Sequence, residues 1–141
     1  MSTPQLNPYL TFGGNCREAM QFYQQCLGGE LHIQPFSETP AAAHVPAEAQ
    51  NGVLHAHLSN GPVVLMASDT GGMHPLSSGN TVSLCVNCTS PEEIADLFAQ
   101  LSAGGTVGMP LADTFWGATF GTFTDRFGIN WMLNYTHPTT T

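Results

Sequence analysis

Apolar positions in this chain recur every second residue in some stretches and every third or fourth in others, and the switches mark its elements. Asn7 to Phe12 is a short apolar run that reads as a strand, broken by Gly13-Gly14. Ala19, Met20, Phe22, Tyr23, Cys26 and Leu27 then form a stripe at helical spacing, which predicts a helix over Asn15–Leu27. Asn15 is placed as its N-cap, with Glu18 completing a capping box, and Gly28 as its stop. Glu30 to Phe36 is the next predicted strand. Ser37 to Asn51, with Pro40 and Pro46 and no clear period, is a long loop with room for a short helical turn. Val53 to Ser59 alternates, with Leu54, Ala56 and Leu58 on one face and His55 and His57 on the other. Asn60-Gly61 is a strong hairpin signal, and Pro62 to Ser68 returns with Val63, Leu65 and Ala67 opposite Val64, Met66 and Ser68.

Asp69 to Gly79, rich in glycine and serine, reads as a linker, after which the plan repeats. Thr81 to Asn87 is a predicted strand with Val82, Leu84 and Val86 inward. Ser90, Pro91 and Glu93 open a helix over Ser90–Ala103 whose buried stripe is Ile94, Leu97, Phe98 and Leu101. Gly104-Gly105 ends it, as Gly28-Gly29 ends the first helix. A short strand at Thr106 to Met109, a loop over Leu111–Gly117 and a closing hairpin follow. In that hairpin Ala118 to Thr124 pairs with Ile129 to Thr136 across the turn Asp125-Arg126-Phe127-Gly128. Ile129, Trp131, Leu133 and Tyr135 fall on one face; Asn130, Met132, Asn134 and Thr136 fall on the other. The fold class is therefore α+β: paired βαβββ modules, curved mixed sheets around a cleft, within one domain of residues 1–141. Module 1 spans about 5–70, a linker about 70–79, and module 2 about 80–137.

Charge narrows the partners. Arg17 and Arg126 are the only basic residues against ten carboxylates, for a formal net charge of −8. Two arginines make no phosphate-binding surface, so neither nucleic acid nor an anionic membrane is an expected partner. The first residues lack the basic and apolar regions of a secretory signal, which makes the cytoplasm the expected compartment. There Cys16, Cys26, Cys85 and Cys88 are expected as free thiols. Cys85 and Cys88 spell a CxxC at the end of a strand, with no second pair and no helix opening at it, so two buried or half-buried thiols are expected rather than zinc or redox chemistry. The low charge leaves neutral surface that suits self-association.

The stretches NPYLTFGGNCREAMQFYQQCLGG, LHAHLSNGPVVLMASD and DTFWGATFGTFTDRFGINWMLN resemble the PhnB-like branch of the vicinal oxygen chelate superfamily, which includes glyoxalases, extradiol dioxygenases and bleomycin-resistance proteins. The resemblance covers nearly the whole chain; DTFWG and DRFGxxW are its most specific pieces. It implies paired βαβββ modules, a homodimer and a small-molecule cleft. The branch often carries the name 3-demethylubiquinone-9 3-methyltransferase. FGGN after the first strand is too short for a Rossmann-type cofactor turn and no parallel doubly wound pattern surrounds it, so that activity is not expected.

In the superfamily's metal enzymes, four His or carboxylate ligands come from facing strands of the two modules. The matched motifs put those positions near Pro8, Met66, Thr81 and Met132; a one-residue slip at the first brings Asn7 or Tyr9. Proline has no ligating side chain and thioethers are soft, so no metal ligand is assigned and no cofactor is expected, a divalent ion being unsupported at these positions. The alternative to a dimeric binding protein is a glyoxalase- or dioxygenase-like enzyme that uses His55 with an unusual metal or as a general base. His55 is the catalytic candidate on that reading; otherwise it is a hydrogen-bonded structural residue beside a half-exposed His57. The expected cleft lining is His57, Val64, Met66, Ser68, Thr81, Ser83, Asn130, Met132 and Asn134. Trp116 is either a further apolar wall or a residue of the dimer seam. Asp69 is expected to cap the turn that follows it. Arg126 is expected to pair with Asp125 or Asp113, and His32, His44, His74 and His137 to be solvated.

Overall fold

The protein, described by a computed structural model over residues 4–71 and 75–138, divides into two compact units, residues 1–77 and 78–141. His74 lies outside the described residues. The first unit runs β1 (Tyr9–Phe12), α1 (Cys16–Leu27), β2 (Glu30–Pro35), three short 3₁₀ turns between Phe36 and Ala49, β3 (Val53–Asn60) and β4 (Val63–Asp69). Its sheet has the order β1-β4-β3-β2, with β1 parallel to β4 and the other pairs antiparallel. The crossover between the parallel strands carries α1, whose Ala19, Met20 and Tyr23 are fully buried. Leu10, Phe12, Ala56, Leu58, Leu65 and Ala67 are the sheet's buried residues. The strand alternation therefore has one closed face and one open face.

Two local expectations change. The register steps from Gln34↔His55 to Pro35↔Val53, so Leu54 is the extra residue of a bulge. The bulge resets the alternation: Val53 is fully buried and Leu54 only half-buried. The start of α1 is not capped by Asn15, whose side chain makes no cap hydrogen bond. Asp69, from the end of β4, does that work: Oδ1 accepts the Gly14 N–H at 2.8 Å and the Cys16 N–H at 3.0 Å. Its Oδ2 accepts the Val53 N–H at 2.9 Å. A single buried carboxylate thus joins the start of α1, the start of β3 and the end of β4, rather than capping the turn that follows it. The sequence distance, 55 residues between Gly14 and Asp69, hid this partner from local capping rules.

The second unit repeats the plan with β5 (Leu84–Asn87), α2 (Pro91–Ser102), β6 (Thr106–Asp113), β7 (Ala118–Thr124) and β8 (Asn130–Thr136). Its order is β5-β8-β7-β6, with β5 parallel to β8. Here the predicted cap forms: Ser90 Oγ accepts the Glu93 N–H at 3.1 Å, while Glu93 Oε1 accepts the Thr89 N–H at 2.7 Å. Strand β5 starts three residues later than predicted; Val82, expected inward, is 74% exposed. Strand β6 runs longer than predicted, through two register shifts, and takes in part of the expected loop. At the β7–β8 turn, Asp125 Oδ1 accepts the Phe127 and Ile129 N–H groups and Oδ2 accepts Trp131 Nε1–H at 2.8 Å. Arg126 donates Nε–H to the Ala103 carbonyl at the exit of α2.

The matched Gly-Gly exits have a shared steric cause. A Cβ on Gly29 would lie 2.2 Å from the Ser59 carbonyl oxygen, and one on Gly105 would lie 2.1 Å from that of Thr124. Each second glycine lets the chain pass against the backbone of a neighbouring strand. Gly29→Ala and Gly105→Ala are each expected to cost about 2–3 kcal/mol in a denaturant titration. Gly79→Ala, where an added Cβ meets nothing within 4 Å, is expected to be near neutral.

Candidate functional site

The open face of each sheet carries the candidate chemistry, and pairing register determines which residues share it. In the first unit Tyr9 is opposite Met66, Met66 opposite His57, and His57 opposite His32, one residue from each strand in a single row. Thr11 opposite Ser68 and His55 opposite Gln34 lie on the same face, two residues along. The Tyr9 hydroxyl reaches over β4 to His55 Nδ1 at 3.2 Å, with the two rings 5.8 Å apart. That contact holds the imidazole through Nδ1. His55, His57, Met66 and Ser68 thus share one face of the first sheet, each half-buried.

In the second unit Cys85, Met132, Thr122 and Met109 form one row of the open face, and Asn87, Asn134, Phe120 and Ala112 the next. Asn134 Nδ2 donates to Asn87 Oδ1 at 3.2 Å and to Thr136 Oγ1 at 3.3 Å. Asn130 accepts from Thr124 Oγ1 at 2.9 Å and donates to the Gly79 carbonyl at 2.9 Å. Trp116, in the β6–β7 turn, sits edge-on to Phe120 at 5.9 Å and to Phe115 at 5.0 Å. Asn130, Met132 and Asn134 therefore share a face with Phe120, against which Trp116 packs. Thr81 and Ser83 do not belong to that strand row; they are exposed in the segment ahead of β5.

Sequence reasoning missed Phe120, Asn87 and His32 on these faces because alternation within a strand does not reveal which strands are neighbours. His32 is exposed, as expected, and stands in β2 directly opposite His57. His137 is not simply solvated: its Nε2 is 2.8 Å from Thr119 Oγ1 and 3.5 Å from Asp113 Oδ1. That contact engages Asp113, one of the two partners expected for Arg126.

The superfamily's metal positions do not provide a matching donor set. The Pro8 carbonyl accepts the Met66 N–H at 3.2 Å, Met66 and Met132 are thioethers, and Thr81 is an exposed hydroxyl. Among the described residues, no group of three or more His, Cys, Asp or Glu side chains is placed to hold a metal ion. Burial makes the Cys16 and Cys88 thiols poor nucleophiles. Burial, reinforced by the Asp69 carboxylate, pushes the Cys16 thiol up from 9.0 to about 12. Burial, with help from Glu93 and Cys85, pushes Cys88 up to about 11.

These shifts predict a pH dependence. Between 9.0 and about 12 the folded chain keeps thiol protons that the unfolded chain has released. Their contribution is present below pH 9 and is lost as the pH rises through 11 to 12. The denaturation midpoint is expected to fall above pH 9, with a smaller fall in Cys16→Ala.

A cavity of about 380 Å³ opens beside Asp69, lined by Gly13, Gly14, Pro46, Glu48 and Asn51 among others. The Asp69 oxygens at its wall already accept three backbone N–H groups, so their main task is structural.

Residues 5–133 match the sequence pattern of the Glyoxalase/Bleomycin resistance protein/Dioxygenase superfamily. The chain belongs to that superfamily. It is 36% identical over 139 residues to protein YjdN of Escherichia coli, covering 92% of this chain and 93% of YjdN. The crystal structure of protein PA1353 from Pseudomonas aeruginosa superimposes with a TM-score of 0.87 at 44% identity, covering 96% of this chain and all (100%) of that one. A Bacillus cereus PhnB protein, a candidate 3-demethylubiquinone-9 3-methyltransferase, follows at TM-score 0.76 and 26% identity, covering 94% and 100% of the two chains. Two four-stranded mixed sheets, each with a parallel pair and one helix, are the superfamily's fold in this chain.

Proposed function

We propose that this superfamily member is a cytoplasmic, homodimeric small-molecule binding protein whose site works without the superfamily's metal. The observation that carries this reading is the donor chemistry at the four superfamily positions: Pro8, Met66, Thr81 and Met132 supply no carboxylate and no imidazole. A hard divalent ion needs anionic oxygens to offset its dehydration. The open face of the second unit instead offers the amides of Asn130 and Asn134, the Thr122 hydroxyl, the Met132 thioether and the Trp116–Phe120 pair, which suit a flat ligand of low charge with hydrogen-bonding edges. Thr81 and Ser83 lie outside that strand row, exposed ahead of β5 in the segment that Asn130 holds at Gly79.

A melting-temperature screen of neutral aromatic amides and heterocycles tests the reading. A ligand at about 100 times its Kd is expected to stabilise the protein by about 2.7 kcal/mol, a rise of several degrees. Asn134→Ala and Trp116→Ala are expected to remove most of that rise while keeping the unliganded melting temperature. Unchanged rises in both variants would move the site elsewhere.

The homodimer is supported by exposed apolar side chains in a chain of few charges, among them Phe115 at 97% and Met109 at 55% exposure. Light scattering at micromolar concentration is expected to give twice the monomer mass.

A second reading keeps the chain an enzyme. Tyr9 holds His55 through Nδ1, which leaves Nε2 as the atom to present to a substrate proton. On that reading His55→Gln removes turnover while leaving ligand binding in place; on the first it has no turnover to remove. The methyltransferase description of the Bacillus cereus relative is not carried over, since neither sheet is parallel and doubly wound.

A further inference from the structure

We propose that His32 and His57 together form a two-ligand site for a borderline transition-metal ion, with copper(II) bound most tightly. Its two ligands are not among the four superfamily positions, although Met66, one of those four, stands opposite His57, and the proposal does not depend on the ligand-binding reading. Its basis is the β2–β3 register, which puts His32 directly opposite His57 on the open face of the first sheet. Residues opposite in an antiparallel pair hold their Cβ atoms about 4.5–5.5 Å apart. From that separation two imidazoles can turn toward one ion at the usual metal–nitrogen distance of about 2.0–2.1 Å.

The surroundings favour a cation. Glu30 shares the face two residues before His32, and its Oε2 lies 3.9 Å from His32 Nε2, with the two side chains 83% and 75% exposed. Met66 flanks His57 on the β4 side, away from His32. His55 is a neighbour rather than a member of the pair because it stands opposite Gln34, two residues along β3 from His57. The chain as a whole carries a formal charge of −8, which raises the local concentration of cations.

Two nitrogen ligands with water completing the shell are selective only by intrinsic affinity. The order of binding is therefore copper(II) first, then nickel and zinc, then manganese. Magnesium and calcium, which need oxygen donors, are left out.

The test is a copper(II) titration of the untagged full chain, with glycine as competitor, followed by electron paramagnetic resonance. One copper per chain with hyperfine structure from two imidazole nitrogens is expected. His32→Gln and His57→Gln are each expected to weaken binding at least about tenfold, no less than the loss of an outer-shell partner costs. The exposed His44→Gln is the control and is expected to bind as the parent does. His32 is 75% exposed, so its variant is expected to keep the parent's circular dichroism and melting temperature without metal. The proposal is overturned if His32→Gln binds copper as tightly as the parent, if the two-nitrogen signal survives in either variant, or if the parent binds no tighter than a double variant carrying both His32→Gln and His57→Gln. None of those results bears on the neutral-ligand screen, which is read in chelator.

Discussion

Asp69→Ala is expected to destabilise the protein by about 4 kcal/mol, because it deprives three N–H groups of their acceptor at once. Each buried donor left without a partner costs about 1–3 kcal/mol, and the cavity beside Asp69 lets water recover part of that. The loss has a fingerprint that a general weakening lacks. Hydrogen exchange is expected to accelerate first at Gly14, Cys16 and Val53, at the starts of α1 and β3, before it does so across the sheet. Asp69→Asn keeps one acceptor but turns an NH₂ toward an N–H, so it is expected to fall between parent and alanine. A cost below about 1 kcal/mol for Asp69→Ala would mean that the three contacts contribute no more than one ordinary hydrogen bond.

Trp131→Ala is expected to cost about 4–5 kcal/mol, at the upper end for emptying a core aromatic position. The indole is 2% exposed and stacks on Phe123 with ring centroids 6.5 Å apart, while Nε1–H donates to Asp125. Trp131→Phe keeps a ring in the stack but removes the donor together with part of the indole's volume. It is expected to cost about 2 kcal/mol, the price of a hydrogen bond to a charged group. The Asp125 carboxylate also organises the turn through Phe127 and Ile129, so Trp131→Phe and Asp125→Asn are expected to be non-additive. A chemical denaturation series over the four proteins measures that coupling.

The contrast between these two carboxylates shows what could be read from sequence. Asp125 stands within four residues of the amides it serves, in a turn whose Asp and Gly announce it. Asp69 serves amides up to 55 residues away, and local rules assigned the helix start to Asn15 instead. The helix of the second unit was legible to the cap because Ser90, Pro91 and Glu93 fall within four consecutive residues. The open faces were legible within strands and not between them. Met132 and Asn134 follow from alternation, but the neighbours Cys85, Asn87 and Phe120 follow only from register. Bulges broke the alternation itself, exchanging Val53 for Leu54 in the core. The inward placement of Val82 failed because β5 starts at Leu84 and leaves it outside the sheet.

The most direct test of a metal-independent ligand site is the melting-temperature rise given by the best neutral ligand, read in chelator and again with manganese(II) or iron(II) added. The rise is expected to be the same in both, since Pro8, Met66, Thr81 and Met132 provide no carboxylate and no imidazole through which either ion would be held. A rise that appears only with the metal, and disappears in His55→Ala, would contradict it and put an enzyme in place of the binding protein.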